Sequence, residues 1–292
     1  NMKSDGKRRL FSTMLIFAVF MTMVVFFFIS ASANYKVGSI WPMTGSAAAF
    51  GQAMQNTTNL VEKLVNESGG INGHNLKIIQ RDTGTKPTKC VDAARKLVNV
   101  DGVSAIVGAY SSGVAMAVSQ GVTIPNQITY TTLGTSPMIS VVQDNDYFFR
   151  TSAHDLYNGR VLGDAMYEDG HRKIGILYVN NAYGKGIADA AAATFEKIHD
   201  GEVVAKVPFQ IGKASYGSEV SRTYQDGNVD ATLIIAYPED STVIHKTIYS
   251  NGWDDIPWQE PDLSPVRYLA DLDVLTEDLL VVHLVQTEKE EF

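Results

Sequence analysis

Short apolar runs alternate with amphipathic stretches along most of the chain. Tyr35–Trp41 (YKVGSIW) is typical of a strand, and residues 47–66 carry Leu60 and Leu64 at the spacing of a helix. The alternation continues with a predicted strand, helix and strand at residues 76–80, 88–99 and 103–107. Because strands that alternate with helices pair in parallel, this order predicts a parallel sheet covered on both sides by helices.

The same alternation starts again after residue 150. Residues 147–151 (YFFRT) predict a strand that leaves the first unit, and an extended crossing is expected to join the two units. Further strands are predicted at residues 173–179, 203–209 and 231–236, and further helices at residues 185–197, 216–225 and 241–250. We therefore predict an α/β protein with two lobes, residues 34–150 and 151–256, and a cleft between them.

The two ends of the chain differ in character from these lobes. Residues 1–33 combine a basic start, an apolar run and the small residues Ala31-Ser32-Ala33, a pattern that predicts an export signal and a periplasmic location. An uncleaved membrane anchor is the alternative, because the apolar run is long. Residues 257–292 hold nine acids and two bases, and this shift in charge predicts a boundary at 257.

Composition narrows the classes of partner. The chain is 45% hydrophobic, which is enough for a sizeable core, and its net charge is −8. An acidic protein of this kind is a poor partner for nucleic acid or an anionic membrane surface. The single cysteine, Cys90, cannot form a disulfide within the chain, so an exported protein of this sequence relies on its core for stability.

Two loops rich in hydroxyl groups follow neighbouring predicted strands. Ser111-Ser112-Gly113 lies between the strand at 103–107 and an apolar helix, and residues 133–137 (LGTSP) follow a strand at 128–131. Ligands gather at the carboxyl ends of parallel strands, and hydroxyls with unpaired helix amides bind anions. The two loops are therefore predicted to hold one carboxylate. The alternative is that these residues only cap a helix and form a turn.

Seven motifs occur in a fixed order over some 220 residues: VGSIWPMTG, GGINGHNLKIIQRDTGTKP, AARKLV, AIVGAYSSG, TTLGTSP, NNAYGKG and NVDATLIIAYPED. In this order they resemble the periplasmic Leu/Ile/Val-binding protein family, the solute-binding components of branched-chain amino-acid ABC transporters. The resemblance runs from residue 35 to about residue 252. It implies a two-lobed fold, a small-molecule ligand, a membrane permease as partner, and no cofactor.

The resemblance also implies ligand-binding residues in the first lobe. Ser112 and Thr135 fall where family members bind the ligand's α-carboxylate, and Leu133 falls where a backbone carbonyl accepts its ammonium group. Trp41, at the end of the first strand, is expected to form a wall of the side-chain pocket. Hydroxyls, amides and a carbonyl suit the two charged groups of an amino acid.

In the second lobe, the resemblance places Tyr183 and Tyr237 where they close over the ligand. Amino-acid-binding members also hold the ammonium group with an acid further along this lobe. Its position falls at Pro261 in this chain, with Glu260 one residue away, so the identity of the ligand stays open.

The chain departs from the family at two places. Some members carry a disulfide where this chain has Thr85 and Ser111, so that link is absent. Residues 257–292 resemble an internal piece of a metal-dependent amidohydrolase in which His283 would be a metal ligand. The other five histidines are scattered, and a zinc site needs three or four ligands. We therefore expect a foreign segment without activity or metal, and we expect the family's last crossings to be missing.

Three classes of function follow from these observations. A solute-binding protein for transport is favoured, and a ligand-sensing receptor domain is the alternative from another class. An enzyme is disfavoured because the chain has no GxSxG, GxxxxGK[ST] or HExxH motif, and the tail is the one enzymatic hint.

Overall fold

The computed structural model describes residues 34–225 and 228–261, together with the backbone of residues 280 and 281. The predicted export signal, residues 1–33, and His283 of the predicted amidohydrolase-like segment lie outside the described residues. Within the described part of the chain, no helix is long and apolar enough to cross a membrane.

The first sheet has five strands in the order β2-β1-β3-β4-β5. The pairs β1–β3, β3–β4 and β4–β5 are parallel. The strands are β1 (Tyr35–Trp41), β2 (Leu76–Asp82), β3 (Ala105–Gly108), β4 (Thr129–Thr132) and β5 (Phe148–Arg150). The helices that alternate with them are α1 (Gly51–Glu67), α2 (Pro87–Lys96) and α3 (Ser112–Val118).

One apolar cluster forms the core beside this sheet. It includes Ile40 of β1, Ile106 of β3 and Tyr130 of β4, which are all buried. Cys90 of α2 is part of the same cluster, and burial raises the pKa of its thiol to about 12. The thiol therefore stays protonated at neutral pH and acts as a small apolar side chain.

The second sheet also has five strands, in the order β10-β9-β8-β6-β7, and every pair is parallel. The strands are β6 (Lys173–Val179), β7 (Glu202–Phe209), β8 (Ala231–Ile235), β9 (Trp258–Glu260) and β10 (Leu280–Val281). The helices are α4 (Asp155–Glu168), α5 (Ala182–Lys197), α6 (Gly217–Tyr224) and α7 (Pro238–Ser250). The two sheets confirm the predicted α/β class.

The central strands of the second sheet are continuous apolar runs. All five residues of β8 are buried, as are six of the seven residues of β6. A strand that is buried on both faces needs apolar side chains at every position, which explains why β6 and β8 show no alternation.

Helix α4 is absent from the predicted elements, which had an extended crossing after β5. Its buried positions include Gly159 and Gly163, which face α5. A Cβ added at Gly163 would lie 2.8 Å from the Ala191 carbonyl oxygen. The two helices thus approach each other through small residues. Because α4 lacks the clear apolar stripe of a surface helix, the hydrophobic pattern of the sequence does not predict it.

Strand β9 begins one residue after the predicted boundary at 257. Trp258 and Gln259 pair with Thr232 and Leu233 of β8, and Gln259 Nε2 donates to Asp169 Oδ2 at 2.9 Å. The first residues of the acidic segment therefore take part in the second sheet, while the boundary itself stays a prediction.

Residues 62–77, with Tyr35, form a compact unit of their own, and the other described residues group into a larger one. Within the small unit, the side-chain amide of Asn66 donates to the Leu76 carbonyl at 2.9 Å and accepts the Leu76 N–H at 2.7 Å. This pair of hydrogen bonds joins the end of α1 to the beginning of β2.

Candidate ligand-binding site

A serine hydroxyl joins the loops that follow β3 and β4. Ser112 Oγ accepts the N–H of Thr135 at 3.0 Å and the N–H of Ser136 at 3.1 Å, and Ser112 is buried. Gly108 ends β3 with a φ of +111°, and a Cβ there would lie 2.1 Å from the Ile40 carbonyl oxygen. Glycine is therefore required where the chain turns from β3 into the first loop.

The second of these loops, residues 133–136, is fixed from the other side by β5 and the residues after it. Ser152 Oγ donates to the Leu133 carbonyl at 2.9 Å. Arg150 Nη1 donates to the Ser136 carbonyl at 2.9 Å, and a longer contact of 3.4 Å joins it to the Thr135 carbonyl. The loop backbone is thus placed by neighbouring strands before any ligand arrives.

Two tyrosines project from the second sheet at the start of helices α5 and α7. Tyr183 lies in the first turn of α5, after the N-cap residue Asn181, and Tyr237 is the residue before α7. Their rings stack with centroids 5.5 Å apart and an interplanar angle of 17°. The Asn181 side-chain amide also donates to the Tyr237 hydroxyl at 3.1 Å, so both helix starts share one polar contact.

Hydrogen bonds connect the loops of the first sheet to helix α7 beside the second. Tyr237 OH donates to Ser111 Oγ at 2.8 Å, and the Ala49 N–H donates to Glu239 Oε1 at 3.0 Å. Burial raises the pKa of the Glu239 carboxyl, with a smaller contribution from the nearby charge of Asp240. A buried carboxyl with this shift binds a proton more readily than one in water.

Aromatic contacts follow the same path. The rings of Phe50 and Tyr110 stack at 4.8 Å between centroids, and Tyr110 lies 6.3 Å from Tyr237. Ala47 is fully buried in the apolar cluster of the second sheet, although it lies in the loop region after β1. Apolar packing and hydrogen bonds therefore act together where the two sets of loops meet.

A cavity of about 220 Å³ lies among these loops. Its lining residues are Tyr110, Leu133, Thr135, Ser152, Asn158, Tyr183, Ile187, Tyr237 and Pro261. Ligand pockets for drug-sized molecules are roughly 300–1,000 Å³, so this cavity suits a smaller molecule.

Four of the six predicted binding residues line this cavity: Leu133, Thr135, Tyr183 and Tyr237. Ser112 lies directly behind it, bound to the Thr135 amide, and is not a lining residue. Trp41 is also outside the lining, and its indole N–H donates to Thr58 Oγ1 at 2.8 Å. The ligand-binding role of all six remains a prediction.

The sequence did not predict five of the lining residues: Tyr110, Ser152, Asn158, Ile187 and Pro261. Pro261 was expected only as the position where amino-acid-binding family members carry an acid. Tyr110 directly precedes the Ser-Ser-Gly loop. Its position just after a predicted strand could have indicated that it lies at the site. Asn158 lies on α4, and its position could not be inferred without that helix.

The acid nearest to Pro261 in the described chain points away from the cavity. Glu260 is 1% exposed, and its Oε1 accepts the Ser241 hydroxyl at 2.7 Å and lies 2.8 Å from His245 Nε2. The carboxylate thus joins β9 to α7. Among the described residues, no group of three His, Cys, Asp or Glu side chains is placed to hold a metal ion.

The fold and the cavity together define a class of protein. Two parallel α/β sheets contribute loops from the carboxyl ends of their strands to one small cavity with an apolar wall and a few polar groups. This is the arrangement of a small-molecule-binding protein. Residues 34–265 match the sequence profile described as "Periplasmic binding protein". The chain belongs to this family, whose members are solute-binding proteins.

Curated relatives carry related names. The chain is 30% identical over 169 residues to "Leu/Ile/Val-binding protein homolog 3" of Brucella melitensis, an alignment that covers 58% of this chain and 45% of the relative. It is 28% identical over 214 residues to "Leu/Ile/Val-binding protein homolog 1" of Brucella abortus, covering 73% and 57%. The chain thus spans about half the length of the curated relatives that it matches.

Solved structures share the fold. A LivJ substrate-binding protein from Streptococcus pneumoniae, in complex with isoleucine, has a TM-score of 0.66 at 24% identity, covering 78% of this chain and 64% of that one. A solute-binding protein from R. palustris, in complex with 4-hydroxybenzoate, has the same TM-score and identity and covers 78% of this chain and 61% of that one. By name, both neighbours are binding proteins of transporters, and at this identity they show the fold alone.

Proposed function

We propose that this chain is an extracytoplasmic solute-binding protein that captures a small molecule and delivers it to the permease of an ABC transporter. The ligand is a branched-chain amino acid or a related small carboxylate or amide. One observation carries the proposal: side chains from the loops of both sheets line a single cavity, with Leu133 and Thr135 on one side and Tyr183 and Tyr237 on the other.

The roles of the lining residues follow from their chemistry. Thr135 offers a hydroxyl to the polar group of the ligand, and Tyr183 and Tyr237 cover its apolar part. Ser112 acts through the loop, because it holds the amides of Thr135 and Ser136 in place. The names of the relatives, Leu/Ile/Val-binding proteins, support a small ligand of this class.

The proposed cycle is a hinge closure. The ligand binds to the loops of residues 34–150, and residues 151–256 close over it with the two tyrosines. The closed form then docks on the permease. Residues 1–33 direct export to the periplasm, and the remainder of residues 257–292, beyond the family match, is a foreign segment without a role in binding.

Thermal unfolding of the full chain tests this function. The compounds are the three branched-chain amino acids, their amides and the corresponding carboxylic acids, with sugars as a control class. A ligand present at a hundred times its Kd stabilises the folded state by about 2.7 kcal/mol, so the midpoint of unfolding rises by several degrees.

Two variants give this test its specificity. Tyr183→Ala removes a lining ring and is expected to abolish the shift, whereas Tyr249→Ala alters an exposed ring on α7 and leaves it unchanged. If none of the compounds raises the midpoint of the unaltered chain, the proposal is wrong.

A further inference from the structure

A second cavity, of about 320 Å³, lies beside the contact that joins the two sets of loops. Its lining includes polar residues that follow strands of both sheets: Lys86, Thr88, Ser111, Asn180, Asn181 and Gln210. Ser111 and Asn181 are also hydrogen-bond partners of the Tyr237 hydroxyl, and Tyr237 lines the first cavity, of about 220 Å³. These three bonded side chains therefore form a wall that the two cavities share.

Neighbouring residues along the chain are divided between the two cavities. Tyr110 lines the first cavity and Ser111 lines the second. At the start of α5, Asn181 lines the second cavity and Tyr183 lines the first. Ser111 follows β3 of the first sheet, whereas Asn181 and Tyr237 precede helices beside the second sheet. The wall is therefore complete only where the two sets of loops meet.

The polar end of the ligand in the proposed function lies next to this wall. Thr135 is the residue that offers a hydroxyl to the polar group of the ligand. Its N–H donates to Ser112 Oγ at 3.0 Å, and Ser112 directly follows Ser111. A carboxylate or a primary amide ends at this point, whereas a ligand that continues through a further amide bond extends towards Tyr237 and Ser111.

We propose that Tyr237, through its contact with Ser111, determines the length of the ligand that the first cavity accepts. This inference rests on the proposed function and concerns the same cavity. The Tyr237 and Ser111 side chains are both buried, and their oxygens lie 2.8 Å apart, so no ligand atom fits between them. A ligand that extends past the first cavity must therefore break this hydrogen bond.

The selection acts through closure of the two sets of loops. A ligand that ends within the first cavity leaves the hydrogen bond between Tyr237 and Ser111 in place, so its affinity includes the stabilisation of the closed form by that bond. A longer ligand binds without this contribution. The bond therefore favours short ligands although it need not touch them.

Pairs of compounds that differ in length at the polar end test this inference. The short members are the branched-chain amino acids, their amides and the corresponding carboxylic acids. Isothermal titration calorimetry of the full chain compares each with the conjugate that joins the same acyl group to glycine through an amide bond. We expect the short member to bind roughly ten-fold more tightly or better. Equal affinity, or tighter binding of the conjugate, overturns the inference.

Two variants assign the preference to the wall. Tyr237→Phe keeps the ring and removes the hydroxyl, and Ser111→Ala removes the acceptor. The Ser111 hydroxyl makes no capping hydrogen bond to α3, so Ser111→Ala leaves the start of this helix intact. In each variant we expect the short compounds to bind about three- to ten-fold more weakly, while the conjugates keep their affinity within about two-fold. Tyr249→Phe, on the exposed side of α7, is the control and should change neither affinity.

A merely structural role of the Tyr237 hydroxyl gives a different result. In that case both members of each pair weaken by the same factor in Tyr237→Phe, the preference persists, and the inference is wrong. The proposed function fails separately. If the conjugates bind the unaltered chain as tightly as the short compounds, the function stands and the inference is wrong. If no compound of either experiment binds, both are wrong.

Discussion

At the scale of single residues, the hydroxyl of Tyr237 is the contact most open to a test. It donates to Ser111 and accepts from Asn181, and the side chain is almost fully buried. Tyr237→Phe keeps the ring and removes both hydrogen bonds. We expect a loss of about 1–3 kcal/mol in the free energy of unfolding, because a buried polar partner is left unsatisfied. Chemical denaturation measures this loss.

The matched control for this change is Tyr249→Phe, since Tyr249 is 63% exposed on the same helix. We expect the control to change the free energy of unfolding by less than about 0.5 kcal/mol. Ligand affinity should also fall several-fold in Tyr237→Phe and stay constant in the control. Equal stability of the two variants would mean that the Tyr237 hydroxyl contributes nothing to the contact between the loops.

Sequence reasoning found that two of the loops come together, but not what each of their residues does. The prediction that the loops carrying Ser112 and Thr135 meet agrees with the 3.0 Å contact between them. The same spacing in the sequence is compatible with a hydroxyl that faces a ligand and with one that binds a neighbouring loop. Only the position of the Thr135 and Ser136 amides distinguishes these roles, and that position depends on β4 and β5.

At the scale of elements, the contact between α4 and α5 depends on two glycines. A Cβ at Gly163 would lie 2.8 Å from both the Ala191 carbonyl oxygen and the Thr194 Cβ. Gly163→Ala should therefore lower the free energy of unfolding by about 1–3 kcal/mol, since overpacking outweighs the gain of up to about 1 kcal/mol in helix propensity. Thermal or chemical denaturation measures the change.

Gly121→Ala is the control for this prediction. Its Cβ would contact the Val91 methyl groups at 3.9 Å, an ordinary packing distance. We expect its stability to stay within about 0.5 kcal/mol of the unaltered protein. A stable Gly163→Ala variant would show that α4 can move away from α5 without cost.

Strands β1 and β6 and helix α4 show where the prediction of elements from the sequence succeeds and where it fails. The predicted strands at residues 35–41 and 173–179 coincide with β1 and β6, because apolar runs of this length are typical of buried parallel strands. Helix α4 was missed because glycines form part of its buried face, and glycine lowers helix propensity. Its formation depends on the tertiary contact with α5, which no local pattern expresses.

At the scale of the whole molecule, the proposed closure over a ligand depends on the free energy of bringing the two sets of loops together. Part of this free energy comes from the protein itself, through Ala47 in the core of the second sheet and the hydrogen bond between Ala49 and Glu239. A ligand then needs to supply only the remainder, and its apparent affinity rises as the closed form becomes more populated. Changes at these contacts should therefore alter affinity without altering the cavity.

Glu239 makes this contribution depend on pH. Burial raises the pKa of its carboxyl in the described conformation above the ordinary value of 4.5, whereas a solvated carboxyl in an open form would titrate near that value. The closed form therefore binds a proton more tightly than the open form. As pH falls from above the raised pKa to 4.5, closure becomes more favourable, and below 4.5 the full gain is present.

We therefore expect ligand affinity to increase as the pH is lowered from 7.5 towards 5, with a weaker increase in Glu239→Gln. The glutamine keeps an oxygen that can accept the Ala49 N–H but cannot titrate, and Asp240 is retained in both proteins as the neighbouring charge. Titration calorimetry at several pH values measures the affinity of both proteins. Because both bind the same ligand, any effect of its ionisation cancels in the difference between their pH profiles. Parallel pH profiles for the two proteins would exclude Glu239 as the group that couples closure to the proton, because the substitution removes that carboxyl alone.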